Sequence, residues 1–82
     1  MNVSMFNYKF IYLGRDNDLD EHEGKPIWYI FNRKSRQALG RVLYYPAWRQ
    51  WVASFSEDSI WSAGCLTDVK DAIGLLGKGL TP

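Results

Sequence analysis

The sequence predicts an α+β fold: an antiparallel β-sheet of four to five strands with one C-terminal α-helix packed on one face. Three observations predict it. Runs of aromatic and β-branched residues recur between turn residues through the first three quarters of the chain. The period then changes, and Leu66, Val69, Ile73 and Leu76 recur at three- and four-residue steps. Finally, 82 residues suffice for one compact domain, whose small core is built from 16% aromatic residues. The domain is expected to span residues 1–82. Its core is 27–76, with an acidic, mobile loop at 15–25 and a tail at 78–82.

MFNYKFIYL, residues 5–13, reads as a strand with Phe6, Tyr8, Phe10 and Tyr12 on one face. Gly14 ends it, and RDNDLDEHEGK (15–25) has no apolar rhythm, as expected of a loop. IWYIFN (27–32) is a strand, RKSRQ a turn with Ser35 near its tip, and LGRVLYY (39–45) the next strand. Gly40 within that strand signals a bulge or a close approach by another side chain. Pro46-Ala47 makes a turn, WRQWVASF (48–55) runs back, SEDS (56–59) turns again, and IWS (60–62) adds a short strand. In the helix, Cys65 and Ala72 sit beside the apolar stripe, and Asp68, Lys70 and Asp71 lie opposite. Ser62 is the expected N-cap, Asp68 favours the helix dipole, and Gly77 is the expected C′ residue. Gly74 is expected to permit close packing on the sheet.

Alternation assigns the faces. Trp28 and Ile30 share one face, and Ile27, Tyr29 and Phe31 the other. In 48–55, Trp48, Gln50 and Val52 share a face, opposite Arg49, Trp51, Ala53 and Phe55. Trp48 and Trp51 therefore cannot both meet the helix. Large aromatics occur on both faces, whereas a half-solvated sheet shows polar residues on its outer one. One face is thus either covered by the acidic loop and first strand or available for contact.

Three constellations bear on function. Arg33, Lys34, Arg36, Arg41 and Arg49, with Tyr45 and Trp48, combine cations and aromatics. That combination suits a protein interface or stacked nucleic acid, and equally a solubilising hairpin tip. The net charge of +1 favours no nucleic-acid partner, so that partner ranks second. Asp16, Asp18, Asp20 and Glu21 form an acidic segment suited to electrostatic contact with a basic partner. It begins like a calcium-binding loop, but Glu21 stands where glycine is required and Ile27 where glutamate is required. No metal is expected. Catalytic chemistry has little to draw on: His22 lies in the loop, Cys65 beside the apolar stripe, and no second histidine exists for a relay. No cofactor and no enzymatic activity are expected. With one cysteine, no apolar run of about eighteen residues and no signal-peptide pattern, the expectation is a cytoplasmic protein without membrane contact.

Trp28, Leu39-Gly40, Trp48-Arg49, Trp51-Val52, Trp61-Ser62 and Cys65-Leu66 occur in an order that resembles small proteins encoded by phages and prophages. The likeness covers residues 27–76. It implies a phage or mobile-element origin and a β-meander plus helix, and it brings no catalytic residues. By analogy of size and origin with phage accessory proteins, and from the aromatic and Arg face, the acidic segment and the lack of catalytic groups, the expected function is binding and inhibition of a host protein complex, most concretely a CRISPR effector. A nucleic-acid-binding module and a homo-oligomeric assembly protein are the alternatives.

Overall fold

The computed structural model describes residues 3–16, 21–22 and 24–79. Strands β1 (Val3–Asn7), β2 (Ile11–Asp16), β5 (Trp28–Asn32), β6 (Ala38–Tyr45) and β7 (Gln50–Phe55) form one sheet in the order β1-β2-β5-β6-β7. Every neighbouring pair is antiparallel. Between β2 and β5, β3 (Glu21–His22) pairs with β4 (Lys25–Pro26), with Gly24 at φ 75° in the turn. Helix α1 (Ala63–Gly77) lies on one face of the large sheet.

The register sorts the side chains. Phe6, Leu13 and Ile30 lie in one cross-strand row, and Trp28, Val42 and Ala53 in another. With Ile11 and Leu39 they meet Cys65, Val69, Ala72 and Leu76 of α1 in a single apolar core. Fully burying each large side chain stabilises the fold by about 1.5–3 kcal/mol. At Trp28 that gain outweighs a buried indole N–H with no acceptor among the described residues.

The alternation read for residues 28–31 and 50–55 holds: Trp28 and Ile30, and Trp51 and Ala53, face the helix. Ser62 caps α1 as expected, its Oγ accepting the Cys65 N–H at 3.1 Å. Gly40, at φ 156°, marks the expected irregularity, but the group that approaches it is backbone and not a side chain. The β5–β6 register shifts beside its partner Ile30, and a Cβ at Gly40 would run into the Ser54 carbonyl.

Several expectations are corrected. Residues 5–13 are a hairpin, not one strand. The Tyr8 N–H donates to the Ile11 carbonyl at 3.0 Å, which puts Phe6 and Ile11 on the helix side and leaves Phe10 in the turn. The segment 15–25 is not all loop, because β2 runs to Asp16 and β3 pairs with β4. The second turn has four residues, Pro46 to Arg49, closed by N–H bonds of Trp48 to Tyr45 O and Arg49 to Pro46 O. The strand therefore starts at Gln50, and Trp48 and Arg49 are turn residues. Residues 60–62 form no strand; Trp61 stacks on Phe55 at 4.2 Å and leads into the cap. The buried stripe of α1 is centred on Cys65, Val69, Ala72 and Leu76, so Leu66 turns outward. A Cβ at Gly74 would meet nothing, so no close packing requires glycine there, whereas a Cβ at Gly64 would run into the Phe10 ring. The helix continues through Gly77, Lys78 is the C-cap, and Gly79 takes the left-handed conformation at φ 76°.

Candidate functional site

The face of the sheet away from α1 carries the other half of the alternation. Its rows are Asn7, Tyr12, Phe31 and Ala38; Met5, Gly14, Tyr29, Arg41 and Ser54; Leu43 and Val52; and Tyr45 and Gln50. None of these residues is fully buried. The one helix among the described residues lies on the opposite side. Tyr12 and Phe31 stack at 5.1 Å, and Tyr29 sits beside its cross-strand partner Arg41 at a hollow that reaches Gly40 and Ser56. This helix-free face is therefore aromatic and aliphatic along its middle, with Arg41 within it and the Arg33 guanidinium over Tyr12 at its edge.

The β6–β7 turn extends this face. Tyr45 lies on it by register, and Trp48 packs edge-on against the Tyr45 ring at 5.1 Å and 85°. Trp48 remains 65% exposed. Arg49, held at φ 54°, lies elsewhere: it borders a groove on the helix side together with Lys25, Tyr44, Trp51 and Ile73. The two tryptophans are thus told apart. Trp51 packs against the core, and Trp48 is the outside one.

The seven residues expected at a contact do not form one patch. Arg33, Lys34 and Arg36 occupy the β5–β6 turn, and Tyr45, Trp48 and Arg49 the opposite end of β6. The span of β6 from Ala38 to Tyr45, at about 3.3 Å per step, holds the two groups roughly 23 Å apart. Arg41 lies between them. Arg33 is engaged within the molecule: Nε donates to the Tyr8 carbonyl at 2.8 Å, Nη2 donates to Asn7 Oδ1 at 2.6 Å, and the guanidinium lies over Tyr12 at 5.4 Å. Arg36 is exposed with φ 63°, and Lys34 is exposed. Of the acidic group, Asp18 and Asp20 lie outside the described residues, and only the backbones of Asp16 and Glu21 are described.

Sequence reading missed the role of Asp68 and Asp71. Asp68 is not in the first turn of α1; its Oδ2 accepts the Phe10 N–H at 3.0 Å, and Asp71 Oδ2 accepts the Tyr8 hydroxyl at 2.8 Å. Burial first, then the hydrogen bond and charge of Asp71 and the charge of Asp68, push the Tyr8 phenol well above its ordinary pKa. These residues anchor the β1–β2 turn to the helix. No helix among the described residues is long and apolar enough to cross a membrane. No family model, curated protein or solved structure matches the chain.

Proposed function

We propose that this chain is a non-catalytic binding module that engages a partner protein through the helix-free face and the β6–β7 turn. Trp48 is the anchor. The observation that supports the reading is an indole left 65% exposed yet braced against Tyr45 at 5.1 Å. A braced aromatic loses little rotamer freedom on binding, and Trp, Tyr and Arg dominate interface energetics. Arg41, Tyr29 and Tyr45 supply the surrounding contacts. In its most concrete form the module is a phage-type inhibitor acting in the host cytoplasm, which occludes a working surface of a host complex such as a CRISPR effector. That form draws on the sequence resemblance. A nucleic-acid partner has less support, because the cations are divided between the ends of the sheet and Arg33 is engaged internally.

Affinity capture from host lysate tests the reading, with Trp48→Ala and Lys34→Ala as comparison baits. A protein complex captured by the wild type and by Lys34→Ala, with affinity at least about tenfold lower for Trp48→Ala, is expected of an anchor residue. Equal capture by Trp48→Ala overturns it. Capture of nucleic acid that collapses between about 50 and 200 mM salt replaces it with the alternative.

A further inference from the structure

We propose that β7 is a self-association edge, through which two copies of the chain pair antiparallel into one continuous sheet. Edge strands are normally blunted by charge, proline or a bulge. Gln50–Phe55 has none of these, and its ladder with β6 is regular throughout. The Ser56 N–H bonds to the Leu39 carbonyl at 2.8 Å, which sets the phase of the alternation. In that phase Ser54, Val52 and Gln50 bond to β6, and Trp51, Ala53 and Phe55 aim their backbone N–H and C=O groups outward.

The charges choose the occupant. The edge is bounded by Arg49 at its start and by Glu57 and Asp58 at its end. A second β7 running antiparallel brings the positive end of each copy to the negative end of the other. The register centred on Ala53 pairs Ala53 with Ala53 of the second copy and Trp51 with its Phe55. This register satisfies the outward groups of all three residues in both copies and brings Arg49, in the turn before β7, near Glu57, in the turn after β7 of the second copy. Directly opposed residues then share a face, so both helices lie on the same side of the joined sheet.

The helix supports that arrangement. Its Asp68 and Asp71 flank is tied to the β1–β2 turn, so the opposite flank, Leu66 and Ile73, looks toward β7. There Leu66 is 43% and Phe55 47% exposed. Pairing turns this apolar band of each copy toward that of the other. The two-fold closes the assembly at a dimer and leaves the Tyr45–Trp48 side of each turn on the opposite face of the sheet.

Sedimentation across a concentration series, with amide exchange followed by NMR, tests the proposal. The expected result is a species of twice the monomer mass, with the Trp51, Ala53 and Phe55 amides protected in it. Arg49→Glu and Glu57→Arg are each expected to weaken dimerisation about tenfold, and the double exchange to restore it, while circular dichroism stays unchanged. A monomer at about 0.5 mM, which corresponds to less than about 5 kcal/mol of association, overturns the proposal. So does open-ended growth, rapid exchange of those three amides in the dimer, or a double variant no better than the singles.

Discussion

Arg33→Ala removes a cation that sequence reading assigned to a partner surface and that the fold uses itself. Two charge-assisted hydrogen bonds, from Nε to the Tyr8 carbonyl and from Nη2 to Asn7 Oδ1, are lost, together with the guanidinium over Tyr12. All are at the surface, where water replaces them in part, so each contributes about 0.5–1 kcal/mol. The sum is about 2 kcal/mol. In a domain of this size it lowers Tm by about 10 °C. The Arg33 N–H bond to the Phe10 carbonyl is backbone and survives the substitution. Arg33→Lys recovers only part, because an ammonium lacks the planar fork that reaches both acceptors. Urea denaturation followed by tryptophan fluorescence provides the measurement, with exposed Lys34→Ala as control, expected within about 0.5 kcal/mol of wild type. If Arg33→Ala and Lys34→Ala unfold at the same urea concentration, the clamp contributes nothing and Arg33 returns to the list of free surface cations.

Two further outcomes are expected. Gly40→Ala loses about 2–3 kcal/mol, because φ 156° and the Ser54 carbonyl leave no room for a Cβ, and thermal melts should show it. Tyr8→Phe costs about 1 kcal/mol at pH 8, where the hydroxyl bonds Asp71. Since the folded pKa is raised, that contribution is complete below the ordinary phenol pKa of about 10 and fades as pH rises above it. The stability gap between wild type and Tyr8→Phe, measured at pH 8 and at about pH 10.5, should therefore shrink; a constant gap contradicts the assignment.

Local signals were legible wherever the residues themselves carry them. The period-2 faces of 28–31 and 50–55, the Ser62 cap and the irregularity of the strand at Gly40 each follow from side-chain spacing or residue type within a few residues. The β1–β2 hairpin did not show, because its turn, Tyr8-Lys9-Phe10, has no glycine or proline. It is held instead by Arg33, Asp68 and Asp71 from distant parts of the chain. A strand reading of 5–13 was the natural result of alternation alone. Leu66 was misplaced for a related reason. An apolar stripe defines a helix face only to within one residue, and which edge is buried depends on where the sheet meets the helix.

The candidate surface shows the same division. Composition and alternation determined that aromatics would occupy both faces of the sheet and that one helix would cover only one of them. Tertiary structure decided which aromatic stands free: a four-residue turn lifted Trp48 and Arg49 out of the strand and sent them to different sides of the sheet. It also decided that the basic residues are apart, because the length of a strand separates its two turns. Sequence order determines which residues lie near a turn, but only the closed backbone sets the direction in which each side chain leaves it.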